Sequence, residues 1–141
     1  MAKGLKGVIR LRKWDVDEKR RVLRQLQERE DQILDFMRQL AEQKKAEAEM
    51  VRRDSTGAGF TFGAYTQWAR KQQQDLETVL GLVRREIEQA QDAVAQAFKE
   101  LKTFEIAQAN REAAARAEQD RKTQIMLDDI GQEAHRRKQK T

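Results

Sequence analysis

The 141-residue chain contains no proline, no cysteine and only seven glycines. Without proline, nothing in the sequence forces a long helix to kink or stop. Without cysteine, a disulfide framework and a thiolate metal site are both excluded, and a reducing compartment is compatible with the chain. We therefore expect long helices and a cytoplasmic location.

Aromatic residues are also scarce, at 6%, whereas 38% of the residues are charged. This composition leaves little material for a compact globular core. The first ten residues include charges but no apolar signal segment, and nowhere do eighteen apolar residues follow one another. We expect a protein that is neither secreted through a signal peptide nor membrane-spanning.

The abundant residues are Ala, Glu, Gln, Lys, Arg and Leu, which lose the least free energy on entering a helix. The one cluster of helix-breaking residues, 54–63, holds three of the seven glycines. It predicts a helix at about 5–54, a turn at about 55–63 and a second helix at about 64–136. The predicted class is all-α, with residues 1–141 forming a single coiled-coil domain.

Both predicted helices have an apolar seven-residue repeat, which coiled coils require. In the first helix, the two repeat positions counted from Ile9 and Leu5 are apolar in nine of fourteen places. In the second, the apolar seam runs from Leu76 to Phe104 without a polar interruption. Such a stripe needs a partner helix, so we predict a long two-helix antiparallel coiled-coil hairpin. Its predicted core comprises Leu23, Leu26, Ile33, Met37, Leu40, Leu76, Leu80, Val83, Ile87, Val94, Leu101 and Phe104.

Five charged residues interrupt the seam of the first helix: Arg12, Lys19, Glu30, Lys44 and Glu47. They could set the register and discourage unwanted oligomers. They could equally mark places where a further protein covers the hairpin.

The second helix is predicted to extend beyond the first as a C-terminal helical overhang. Its seam lapses after Phe104, and a shorter apolar stripe returns at Ile125, Met126, Leu127, Ile130 and Ala134. This stripe is typical of a helix that docks on another protein.

The net charge of +5 is concentrated at the two ends of the chain. Residues 1–24 hold nine Lys or Arg against three acidic residues, and residues 133–141 hold four against one. In a hairpin both basic segments lie at the open end.

Residues for catalysis are missing from the sequence. The single histidine, His135, lies in a basic tail, and no glycine-rich phosphate loop or HExxH motif occurs. Asp128 and Asp129 point about 100° apart on a helix, so they do not converge on one metal ion. We expect no enzyme, no cofactor, no metal site and no small-molecule substrate.

The aromatic residues gather near the predicted turn. Phe60 and Phe62 are predicted to cap the hairpin tip, while Tyr65 and Trp68 flank the seam and could either pack or bind a partner. Trp14 lies off the first seam, on a face that we interpret as solvated.

Three segments resemble the flagellar type III export protein family FliJ, in its alphaproteobacterial type. Residues 5–21, LKGVIRLRKWDVDEKRR, are similar to the opening of the family, and residues 97–105, AFKELKTFE, to its Glu-Leu-Lys-x-x-Glu stretch. Residues 124–130, QIMLDDI, resemble its Glu-Gln-x-x-Leu-Asp-Glu-Ile signature. Thr123 stands where the family usually has Glu, and Asp129 also replaces Glu.

The resemblance implies a cytoplasmic coiled coil at the base of the flagellum that takes part in flagellar biogenesis and motility. Its implied partners are the hexameric export ATPase, the cytoplasmic domain of the export-gate membrane protein, and export chaperones that it escorts. Tyr65 and Trp68 are then the expected gate contacts. The expected ATPase contacts at the open end are Arg10, Arg12, Lys13, Lys19, Arg20, Arg21, Gln124, Leu127, Asp128, Asp129 and Ile130.

Two other classes of protein fit parts of the sequence. A nucleic-acid-binding protein would explain the basic ends, but Asp15, Asp17 and Glu18 interrupt the first basic segment and no base-reading motif accompanies it. A structural or filament-forming coiled coil would explain the repeats, but the glycine-rich break favours a closed hairpin.

Overall fold

The computed structural model describes the backbone of residues 2–53 and 59–140, and the side chains of residues 5–53 and 62–140. It contains two helices, α1 (Ala2–Arg53) and α2 (Gly59–Gln139), which pack against each other. No strand occurs in these ranges. The prediction of an all-α helical hairpin is confirmed.

Helix α2 begins at Gly59, which is earlier than the predicted start at about residue 64. Glycine costs only about 1 kcal/mol relative to alanine in a helix, so Gly59 and Gly63 do not prevent the first turns from forming. The Thr66 hydroxyl donates a hydrogen bond of 2.8 Å to the Phe62 carbonyl, one helical turn earlier. The rest of the predicted turn, residues 54–58, and the Phe60 side chain of the predicted tip cap lie outside the described residues.

Contacts divide the chain into two units, although the sequence predicts one domain. The central unit is Val16–Gln96, and the terminal unit combines Met1–Asp15 with Ala97–Thr141. Each unit therefore contains a part of both helices.

The core of the central unit lies along the predicted seam. Ile33, Leu80, Val83 and Ile87 are buried there. The partly buried side chains that pack against this cluster are Leu23, Leu26, Met37, Leu76 and Val79.

The helices of the central unit are antiparallel. Arg84 Nε lies 3.2 Å from Glu30 Oε2, while Lys44, later in α1, borders the same hollow as Gln73, earlier in α2. Glu30, Lys44 and Glu47 are half-buried at their seam positions. Lys19, which the repeat also assigns to the seam, is exposed, because a lysine can keep its charged head in water even beside an apolar surface.

In the terminal unit, Ala97 and Leu101 of α2 are buried and Phe104 is half-buried. Arg12 of α1 lies against them, with Nη1 at 2.8 Å from Glu100 Oε2 and its guanidinium 5.5 Å from the centre of the Phe104 ring. The helices are thus joined in this unit by a charged pair and a cation–π contact as well as by apolar packing.

We expect adjacent substitutions in α2 to differ sharply in cost. Val83 is 3% exposed and Leu82 is 50% exposed. Val83→Ala should lower the free energy of unfolding by about 2 kcal/mol, because it leaves a cavity in the seam. Leu82→Ala should change it by less than about 0.5 kcal/mol when the protein is dilute enough to be monomeric. Urea unfolding followed by circular dichroism measures both, and equal losses would contradict the assignment of the core.

Candidate functional site

The last part of α2 has an entirely exposed surface. Every residue from 109 to 140 is exposed, so the overhang is longer than the roughly twenty residues that the helix lengths predict. Pairs one turn apart support this helix, such as Arg121 Nη2 at 2.7 Å from Glu118 Oε1 and Gln124 Nε2 at 3.1 Å from Asp128 Oδ1. The hydrogen bond from Arg121 lowers the pKa of Glu118 below its usual value.

An apolar row lies within this exposed segment. Ile125, Met126, Leu127 and Ile130 are each about half exposed. Four large apolar side chains within six positions are costly to leave in water unless a partner covers them. We refer to these four residues as the C-terminal row.

Most of the C-terminal row faces away from the direction of the hairpin seam. The paired part of the terminal unit closes at Gln108, which is buried and donates from Nε2 to Glu112 Oε1 at 2.9 Å. Continuing the seam in alternating steps of three and four residues from Gln108 leads to Ile125. Met126 and Leu127 follow at about 100° and 200° around the helix, and Ile130 lies between them. These three residues are therefore suited to a separate partner rather than to an extension of the α1–α2 pair.

The predicted basic contacts occupy different environments. Arg10 and Lys13 are exposed in the terminal unit. Arg12 is engaged with Glu100 and Phe104, and its buried Nε has no hydrogen-bond partner among the side chains that the structure describes. Arg12 therefore contributes to helix pairing, which limits its availability for a partner. The other predicted residues, in the central unit, are the exposed Lys19, Arg20 and Arg21.

Arg21 Nη2 pairs with Glu18 Oε2 at 2.7 Å on the surface of α1. Among the predicted acidic contacts, Asp128 accepts a hydrogen bond from Gln124 and Asp129 is exposed. Arg10 and Lys13 flank Arg12, whose pair with Glu100 places them beside that part of α2. The C-terminal row begins twenty-five residues later, roughly 37 Å along the helix, so the structure does not bring these two parts of the predicted ATPase site together.

Tyr65 and Trp68 form an aromatic pair at the side of α2 in the central unit. Their ring centres are 5.7 Å apart and the rings are tilted by 37°. Trp68 is 50% exposed, whereas the Tyr65 hydroxyl is buried and has no hydrogen-bond partner among the described residues. Shielding from water raises the pKa of Tyr65, and the negative charge of Glu47 raises it further.

Phe36 of α1 lies across a shallow groove from Trp68. The groove is also lined by Gln39, Gln43 and Gln72, which are uncharged. Phe36, Trp68 and the three glutamines each stand directly before a seam residue in their helix. The residues directly before the seam positions of both helices therefore lie on the same side of the central unit. We call this side of the central unit the aromatic-glutamine face.

Twelve positions make up the aromatic-glutamine face. From α1 it comprises Gln32, Phe36, Gln39, Gln43, Ala46 and Met50. From α2 it comprises Tyr65, Trp68, Gln72, Asp75, Val79 and Leu82. Only Asp75 among them is charged. The opposite side of the hairpin is formed by the residues that directly follow the same seam residues, and six of those twelve are charged.

The sequence analysis singled out Tyr65 and Trp68 but missed Phe36, Met50 and Leu82. These three side chains are between 50% and 66% exposed. Their common signal is a large apolar residue directly before a seam position, which becomes meaningful only when the two helices are placed side by side.

No helix among the described residues has a stretch apolar enough to cross a membrane. Across the same ranges, no group of three or more His, Cys, Asp or Glu side chains converges as a metal site would require. No protein-family model, no curated protein and no solved structure matches the chain.

The raised pKa of Tyr65 gives a test of the local packing. Because Tyr65 is the only tyrosine, the ultraviolet absorbance of tyrosinate reports this residue alone. In the folded chain it should ionise above pH 10.0, and Glu47→Gln should lower its pKa by removing a nearby negative charge.

The sign of the linked stability follows from this shift. The folded state holds the Tyr65 proton more tightly than the unfolded state, so its contribution to stability is complete below pH 10.0 and declines as the pH rises above that value. A Tyr65 that titrates at or below 10.0 in the folded chain would contradict the shielded position of its hydroxyl.

Proposed function

We propose that the chain is a cytoplasmic, stalk-like coiled coil of the flagellar type III protein export apparatus, located at the base of the flagellum. It binds the hexameric export ATPase and the cytoplasmic domain of the export gate, and it escorts export chaperones. The observation that carries the proposal is a helical hairpin from which a fully exposed helix, residues 109–140, extends with its own apolar row. The resemblance of three sequence segments to the FliJ family supplies the identity of the partners.

The ATPase is proposed to bind the end of the chain that the terminal unit forms. The C-terminal row supplies apolar area, and exposed Arg10 and Lys13 supply positive charge elsewhere on the same unit, beside the Glu100 part of α2. Apolar contacts buried at the centre of an interface contribute most of its affinity, while charges at its rim mainly steer association. The chain hydrolyses no nucleotide itself and acts on the ATPase by binding.

The export gate is proposed to bind the aromatic-glutamine face. Tyr65 and Trp68 provide aromatic anchors, and the structure adds Phe36 on the facing helix. Half-exposed aromatic rings beside a shallow groove are typical of residues that dominate binding energy.

Deleting residues 112–141 should abolish binding to the ATPase. The remaining hairpin should stay helical, because every described residue that the deletion removes is exposed and contributes nothing to the buried seam. A pull-down with the purified export ATPase measures binding, and circular dichroism measures helicity. Undiminished binding by the deletion variant would overturn this placement of the site.

A point variant sharpens that test. Leu127→Ser combined with Ile130→Ser should weaken ATPase binding at least about tenfold, since it removes two apolar anchors. Ile106→Ser is a matched control, because Ile106 is 59% exposed in the same unit but lies outside the C-terminal row. Equal effects of the two changes would show that the row has no specific role.

The gate site has its own variant. Trp68→Ala should weaken binding to the purified cytoplasmic domain of the gate at least about tenfold, because an exposed aromatic anchor is lost. Leu34→Ala, on the opposite side of the same unit, should leave binding unchanged; Leu34 is 39% exposed. Isothermal titration calorimetry compares them, and wild-type affinity in the Trp68 variant would contradict the gate assignment.

A further inference from the structure

We propose that the aromatic-glutamine face also binds a second copy of the chain, forming a symmetric four-helix dimer through the central unit. This inference is independent of the proposed function. It rests on the exposed apolar side chains of the face, on its single charged residue, Asp75, among twelve positions, and on the pattern of charges along its two edges.

The exposed apolar side chains of the central unit are concentrated on this side of the hairpin. Six large apolar residues of the unit are exposed among the described side chains, and five of them, all except Leu34, directly precede a seam residue. They are Val22, Phe36, Met50, Trp68 and Leu82. Val22 lies beyond the twelve positions of the aromatic-glutamine face, which hold the other four together with a single charged residue, Asp75. A side with so many exposed apolar residues and so little charge marks an interface rather than a solvated face.

The dimensions of the face suit a second copy. From Gln32 to Met50 it extends for roughly 28 Å at about 1.5 Å per residue, and two adjacent helices are roughly 20 Å wide. These dimensions give a flat footprint of roughly 560 Å². Protruding side chains add surface to it, which brings the area toward the ~800 Å² that each partner buries in a standard interface. The glutamine side chain both donates and accepts hydrogen bonds. A glutamine-rich face can therefore form hydrogen bonds with the same face of a second copy.

The edges of the face carry opposite charges on the two helices. On α1, an acidic residue recurs every seven positions, at Glu28, Asp35, Glu42 and Glu49. On α2, the corresponding positions hold Lys71, Thr78 and Arg85. The α1 edge is therefore acidic and the α2 edge is basic.

This asymmetry selects one arrangement of the two copies. A twofold axis parallel to the helices places α1 of each copy on α2 of the other, so each acidic edge meets a basic edge. An axis perpendicular to the helices would instead place the two acidic α1 edges together. Repulsion between like charges disfavours that second arrangement.

The register of the hairpin brings specific charges to the same height. The pair between Glu30 and Arg84 aligns Glu42 with residue 72 and Glu28 with residue 86. A rotation about an axis parallel to the helices preserves height. Lys71 of the second copy then lies about one residue, or ~1.5 Å along the helix axis, from the height of Glu42. Arg85 of the second copy lies equally close to the height of Glu28. Glu42 retains Arg38 as a neighbour within its own helix.

A consequence for regulation, which unlike the dimer itself rests on the proposed function, follows because the face contains Tyr65 and Trp68. Self-association and gate binding would occupy the same surface and exclude each other. The dimer would then be a resting form that the gate must displace, while the terminal unit stays accessible to another partner.

Sedimentation equilibrium of the purified full-length chain, without any partner protein, tests the proposal. We expect a reversible monomer–dimer equilibrium at micromolar concentration. Phe36→Glu should raise the dimer dissociation constant at least about 100-fold, because it replaces an apolar anchor in each copy with a charge inside the interface. Ile106→Glu is the matched control, since Ile106 is as exposed as Phe36, 59% against 58%, but lies in the terminal unit.

Charge reversal tests the orientation. Glu42→Lys should weaken the dimer about tenfold or more, because it places like charges together at two symmetric positions. Adding Lys71→Glu to that variant should restore the affinity. Circular dichroism of each variant verifies that the helices remain formed.

Three results would overturn the proposal. They are a chain that stays monomeric throughout the micromolar range, a dimer that Phe36→Glu does not weaken more than Ile106→Glu, and a charge reversal that the second change does not rescue. Because the measurement involves neither the ATPase nor the gate, its failure would leave the proposed function untouched.

Discussion

The structure depends on one constraint: a highly charged chain with few aromatic residues can bury its apolar side chains only by laying one long helix against another. Isolated helices gain little stability in water, so the packed seam supplies most of the free energy of folding. The seam tolerates Glu30 and Arg12 because each is half-buried and pairs with a charge on the facing helix. Lys19, which has no such pair, is exposed, whereas Lys44 and Glu47 are half-buried at the seam.

The same constraint identifies the surfaces that are free to bind. Beyond Gln108 the helix continues without a covering partner, and most of its next apolar residues turn to another side. In the central unit, the seam leaves Phe36 and Trp68 beside it, half exposed around a groove without charges. Both surfaces therefore contain apolar side chains that the α1–α2 pair does not cover.

Much of this organisation could be predicted from the sequence, because a seven-residue repeat specifies which side of a helix needs a partner. The repeat predicted the hairpin, and its lapse after Phe104 predicted the overhang, on which a separate apolar stripe returns at Ile125–Ile130. It could not show that Arg12 contacts Phe104, since that contact depends on how the two helices are aligned. For the same reason it did not reveal Phe36 as a neighbour of Trp68. The early start of α2 was missed because a few glycines weaken a helix without ending it.

The central functional claim is that the chain acts on the export ATPase by binding it. The most direct test measures the rate of ATP hydrolysis and the hexameric fraction of the purified flagellar export ATPase with and without the full-length chain. The account predicts that the chain binds and raises the rate or the hexameric fraction. No binding at micromolar concentration, by a chain that circular dichroism shows to be helical, would contradict it.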